Sequence, residues 1–177
     1  SDKLETNSYF FFFKHLVFVL IGMTMIFIFS YIDQKTLYKI SIYIFFMSFL
    51  LLLLVPIIGV EINGSKRWLD LFFLPRLQPI ELVKPFFIII LSLIISNNKL
   101  FNFTLRFVFS LLLTLLIVSL LVIQPDFGQT LLIVFSWSVL IFISGINIIF
   151  LITSCSILSI TLYYLIRFVP KFEYIKN

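Results

Sequence analysis

Four short stretches hold most of the residues able to do chemistry in this chain. The first is Asn63-Gly64-Ser65-Lys66-Arg67-Trp68. Asn-Gly is a turn signal, and it sets two adjacent cations and an indole behind it. A guanidinium forks onto phosphate oxygens, an ammonium is a mobile point charge, and Trp favours headgroup depth in a bilayer. Lys66, Arg67 and Trp68 therefore suit a lipid with a phosphate or pyrophosphate head. They also fit an ordinary loop whose cations snorkel, which is the plainer reading of the residues alone. The second stretch is Gln78-Pro79-Ile80-Glu81-Leu82-Val83-Lys84. Pro79 fits the first position of a helix, and Glu81 then lies in the first turn, where the macrodipole favours an acid. Glu81 and Lys84 are three apart and share a face, so they are expected to interact, with Arg67 as a candidate third member. Such a pair at the start of a membrane span is either functional or an interfacial anchor. Pro85 removes a further backbone donor there.

The third stretch is Gln124-Pro125-Asp126-Phe127-Gly128-Gln129, a rigid corner between two apolar runs. Asp126 either caps the following helix, pairs with a basic loop residue or lines a cavity. The fourth is the tail, with Arg167, Lys171 and Lys176 around Pro170, which reads as an amphipathic exit onto the membrane surface. His15 beside Lys14 has no carboxylate neighbour in sequence and reads as an interfacial aromatic. Cys155 stands alone, so neither a disulfide nor a cysteine-based metal site can form. No Gly-rich phosphate loop, Ser-His-Asp order or metal-ligand spacing is present, and no metal site is assigned.

The elements that must position these stretches are membrane spans. Hydrophobic residues make up 62% of the 177 and charged residues 12%, against about 25% charged in soluble domains. A core of this length cannot hide so much apolar surface from water, so lipid is the solvent for much of it. That excludes a disordered chain, a disulfide scaffold and an ordinary cytosolic enzyme. The net charge of +5 reflects loop placement and implies no nucleic-acid partner. Phe occurs 24 times and Ala never, which resembles AT-rich codon usage. Without Ala, close helix packing must use Gly22, Ser48, Ser92, Ser110, Thr114, Ser136, Ser154 and Ser159. Ser1 stands where Met would, and the opening residues are not a signal peptide, which suggests a fragment or a processed chain.

An apolar stretch of about 20 residues crosses the hydrocarbon. The expected fold is an all-α, polytopic helical bundle, a single membrane domain over residues 1–177. Its six spans run at about 16–32, 40–58, 79–96, 104–123, 130–145 and 148–166. The last two come from one uncharged run, broken at Gly145-Ile146-Asn147. The connection from Gly59 to Gln78 is long and holds most of the interior charge, and loops of that length are usually functional. By alternation, the N-terminal segment, this long loop, the Asp126 corner and the tail share one side. Lys and Arg favour that side, nine against four, which would make it cytoplasmic.

Taken in order, these motifs resemble the shape, elongation, division and sporulation family of bacterial integral membrane proteins. That family shows Asn-Gly-Ala followed by Arg-Trp, then Gln-Pro-Ser/Ala-Glu with a Lys three residues on, then Gln-Pro-Asp-Phe/Leu-Gly. The matching stretches here are Asn63–Trp68, Gln78–Lys84 and Gln124–Gly128, and Phe13-Lys14-His15 and the tail also match. Ser65 replaces the usual Ala and Ile80 the usual Ser or Ala, Phe72-Phe73 stands where a Gly is common, and the loop carries an extra residue near Pro75. The stretch Asp126–Thr130 is more similar to the division branch than to the elongation branch.

The resemblance implies about ten spans in the full family, with this chain as spans two to seven and its long loop facing outside. That contradicts the charge count. The first helix dominates the positive-inside rule, and a phosphate-binding task offers another reason for the loop's cations. The resemblance further implies a multi-pass protein of the bacterial inner membrane, a glycosyltransferase polymerising lipid II into glycan for septal wall synthesis. The alternatives are a transporter of the same lipid, or a scaffold for a transpeptidase. Implied partners are lipid II, membrane lipid, a class B penicillin-binding transpeptidase and other division proteins. A divalent cation is a conceivable cofactor. Substrate-binding candidates are Lys66, Arg67, Trp68, Glu81, Lys84 and Asp126. The family's proposed catalytic aspartate lies in an outer loop past the position of Asn177. No catalytic residue is therefore assigned, and the chain alone is expected to be inactive.

Overall fold

A computed structural model describes residues 2–62, 65–70, 76–97, 102–145 and 148–168, with side chains described from residue 10 onward except at 151, 158, 161, 162 and 164–168. The Asn63-Gly64 turn, the Phe72-Phe73 and Pro75 positions, Ile146-Asn147 and the tail beyond residue 168 lie outside them. The described elements are six helices and one β-hairpin. They are α1 (Asp2–Ser30), α2 (Gln34–Ile58), β1 (Val60–Ile62), β2 (Ser65–Trp68), α3 (Pro79–Ser96), α4 (Phe103–Ile123), α5 (Phe127–Ile143) and α6 (Ile148–Phe168). Phe10–Ser30, α2, α3 and α4 are long and apolar enough to cross a membrane. The 17 residues of α5 sit at the short end of the spanning range.

The chain divides into two units, residues 1–39 and 40–177. In the first, α1 starts well before the apolar window and carries Lys14 and His15 as helical residues. Between α1 and α2, Asp33 caps the start of α2, accepting from the Thr36 backbone N–H at 3.1 Å. The hydrogen bonds from Thr36 hold the Asp33 carboxyl below its ordinary value. The cap therefore helps above the ordinary carboxylate pKa and fades as pH falls through the lowered one.

In the second unit, α3, α4 and α5 pack on one another, and α6 leans on α5. Their core joins Val83, Phe87 and Leu91 of α3, Ile117 and Leu121 of α4, and Ile133, Trp137 and Ile141 of α5. Phe45 and Leu52 of α2 complete it. The spacing of three or four marks one buried stripe per helix. Of the small residues expected at helix contacts, Ser48, Ser110 and Thr114 are buried. Most helical hydroxyls donate to a carbonyl three or four residues back, as Ser48 does to Ile44 and Thr114 to Ser110. That satisfies a hydroxyl that lipid would leave unpaired. Trp137 Nε1 donates to Ser110 Oγ at 3.2 Å, joining α5 to α4. The turn after α5 uses Gly145 at φ 81°, the left-handed region that glycine enters freely.

Pro56 lies inside α2 and has no N–H to give the carbonyl of Leu52 four residues earlier. The side-chain amide of Gln124, at the end of α4, donates to that oxygen at 3.2 Å. Gln124 is buried, so its loss leaves an unmet acceptor in the core. Gln124→Leu is expected to cost about 1–3 kcal/mol in a detergent-unfolding titration. Adding Pro56→Ala restores a backbone donor and should recover most of that loss. Three residues on, Gly59 closes α2 against Val55, and a Cβ there would stand 2.3 Å from the Val55 oxygen.

Candidate functional site

The three motif stretches converge where α2, α4 and the hairpin meet the starts of α3 and α5. The hairpin is antiparallel, with Glu61 opposite Lys66 and Ile62 opposite Ser65. Val60 pairs with Trp68, so the register slips by one residue and Arg67 is the extra one. A β-bulge of this kind re-aims a side chain out of the ladder. Arg67 accordingly turns to the α4–α5 corner. Its Nη2 donates to the Pro125 carbonyl, and its Nη1 lies 3.5 Å from Asp126 Oδ1. A second backbone tie, Leu69 with Leu77 at 2.8 and 3.0 Å, returns the chain to the start of α3. The outer Arg76–Asp70 pair at 3.8 Å is exposed on both sides and worth little.

Asp126 is 4% exposed. Its Oδ1 accepts from the Gln129 backbone N–H at 3.4 Å, capping α5, and its Oδ2 accepts from Gln78 Nε2 at 3.1 Å. Capping and pairing with a loop cation, posed as alternatives by the sequence, are thus both realised in one carboxylate. Gln129 reaches back across the gap, its Nε2 donating to Glu81 Oε1 at 2.8 Å. Glu81 Oε2 meets Lys84 Nζ at 2.8 Å, one helical turn on. The expected Glu81–Lys84 interaction is present. Arg67, the candidate third member, goes to Asp126 instead, because the bulge points it at α5. The result is one polar chain, Arg67–Asp126–Gln129–Glu81–Lys84, with Gln78 bracing its middle. It ties the hairpin to α3 and α5.

Lys66 is exposed and borders a separate cleft, and Trp68 is half-buried on the hairpin. The two adjacent cations therefore do different things. Sequence reasoning passed over Gln78, Gln129 and Gln124, which are uncharged but supply the cross-links. A Gln beginning or ending each Pro-containing motif is the available signal. Reversing both charges, Glu81→Lys with Lys84→Glu, should restore folding better than either single change, though not fully, since Gln129 loses its acceptor. Equal defects in the double and single variants, read as folded yield from membranes, would break the pairing.

Among the described residues no group of three His, Cys, Asp or Glu side chains gathers as a metal would require. Asp126 and Glu81 are each matched by a cation of the protein itself. This donor set does not fit a divalent cation, and no step is derived through one.

Apolar spans joined by polar corners that lock into one network define a polytopic helical membrane protein. Residues 1–174 match the family model of the FtsW, RodA and SpoVE cell cycle proteins, and the chain belongs to that family. A probable peptidoglycan glycosyltransferase FtsW of Coxiella burnetii is 32% identical over 152 residues, covering 84% of this chain and 41% of that protein. The protein of the same name from Marinomonas mediterranea is 30% identical over 149 residues, covering 82% and 36%. Relatives named for the division branch thus agree with the Asp126–Thr130 resemblance. Among solved structures, a chain from a peptidoglycan synthase complex, in a study of coordinated polymerization and crosslinking, aligns at TM-score 0.73 and 27% identity, covering 90% of this chain and 48% of that one. The rod shape determining protein RodA of Thermus thermophilus aligns at 0.64 and 29%, covering 79% and 46%. The chain spans less than half the length of these proteins.

Proposed function

We propose that this chain forms part of a peptidoglycan glycosyltransferase of the bacterial inner membrane, polymerising lipid II during septal wall synthesis. The observation that carries the reading is the locked network of Arg67, Asp126, Gln129, Glu81 and Lys84, together with the glycosyltransferase names of the relatives. Attack of a sugar hydroxyl on an anomeric carbon expels a lipid pyrophosphate. That leaving charge needs cations fixed in place before it develops. Asp126 and Glu81 hold Arg67 and Lys84 in such fixed positions, and Lys66 stands exposed beside them. Trp68 lies at the depth of the headgroups. In this reading the hairpin faces the outer leaflet, where a transpeptidase partner would receive the glycan. The single membrane domain over residues 1–177, with spans at about 16–32 through 148–166, belongs to a longer assembly of spans.

The test is a chimera in which residues 1–174 replace the matching part of the Coxiella burnetii relative. Supplied with radiolabelled lipid II in vesicles, it should make glycan, and residues 1–177 alone should make none. Arg67→Ala in the chimera should lower the rate about 10²-fold, the usual loss for one fixed charge-stabilising donor. Leaflet exchange of labelled lipid without glycan would favour transport. Unchanged glycan synthesis in the Arg67→Ala chimera would remove the hairpin from the active machinery.

A further inference from the structure

Beside the locked network lies a cleft of about 220 Å³ that the proposed reaction does not explain. Its volume is several times the roughly 30 Å³ a water molecule occupies in the liquid. Glu61 and Lys66 stand opposite each other on the hairpin and both line it, with Pro56 and Ile123 as apolar walls. Neither Glu61 nor Lys66 makes an ion pair or side-chain hydrogen bond among the described residues. The charged residues next to its lining in sequence, Arg67 and Asp126, are committed to each other. The cleft opens where α2 ends at Ile58 and α4 ends at Ile123, so it sits at headgroup depth.

We propose that this cleft binds the headgroup of a phospholipid carrying a primary ammonium, the phosphoethanolamine type. The lipid phosphate meets Lys66, its ammonium donates to Glu61, and the glycerol end lies on Pro56 and Ile123. A simple anion does not suit the cleft, because Glu61 would face its oxygens. A phosphocholine suits it less, because a quaternary ammonium has no N–H to give Glu61. The proposal stands on the cleft and shares only Lys66 with the glycosyltransferase reading.

Native mass spectrometry of the purified 177-residue chain in detergent tests it, with phosphatidylethanolamine, phosphatidylcholine and phosphatidylglycerol of identical acyl chains as probes. The ethanolamine lipid is expected to bind about tenfold more tightly than either other, the low end for one charge-assisted hydrogen bond. Glu61→Gln should erase that margin, and Lys66→Gln should weaken all three lipids, since each carries the phosphate. Arg76→Gln, on the exposed pair with Asp70, should change nothing. Both key residues are exposed, so the variants keep the fold. Equal binding of the three lipids, a margin that survives Glu61→Gln, or a preference for the glycerol lipid as at a plain anion site would each overturn the proposal.

Discussion

Arg67→Ala is expected to destabilise the chain by about 3 kcal/mol, because it strands a nearly buried carboxylate. Asp126 would keep Gln78 and the Gln129 N–H but lose its counter-charge, and the Arg67 hydrogen bond to the Pro125 carbonyl would go. Arg67 itself remains 29% exposed, which places the figure at the lower end of the range for breaking a buried pair. Asp126→Asn should cost less, about 1–2 kcal/mol, since an amide oxygen still caps α5. In the double variant no charge is stranded, so the two losses should not add. An SDS-unfolding titration followed by far-UV circular dichroism measures all three. Strict additivity would mean that the ion pair is not what holds the hairpin against α5.

The second large effect belongs to the core. Trp137 is fully buried, and its ring lies 5.8 Å from that of Phe107. Trp137→Ala should cost about 3–5 kcal/mol, as removal of a buried indole does elsewhere. Trp137→Phe keeps most of the packing and loses only the donor to Ser110. It should cost about 0.6 kcal/mol, the usual size of a hydrogen bond between spans. The ratio between the two variants separates packing from hydrogen bonding, and the same titration reads both. A loss near 1 kcal/mol for Trp137→Ala would show a core that closes over the gap.

The helices were legible because lipid imposes a simple rule. A long continuous apolar run reads as a helix, so Pro79 and Ile148 begin helices where the apolar runs begin. The helical entry to α1 was not legible, since its polar and aromatic residues break the hydropathy signal without breaking the helix. At the site, Glu81 and Lys84 could be paired by spacing alone, because three residues apart on a helix is a contact. Arg67 with Asp126 could not. They are far apart in sequence, and only the bulge in β2 selects Arg67 over Lys66. Nor does any local pattern reveal that Gln124 serves a carbonyl in α2. That partner exists because Pro56 removed another, and the two positions meet only in the fold.

The bulge also constrains how this segment can change over generations. Loss of the codon for Ser65, Lys66 or Trp68 would let the two strands zip into even register. The guanidinium would then fall into step with the ladder and swing away from the corner it anchors. Selection should therefore purge changes of length there.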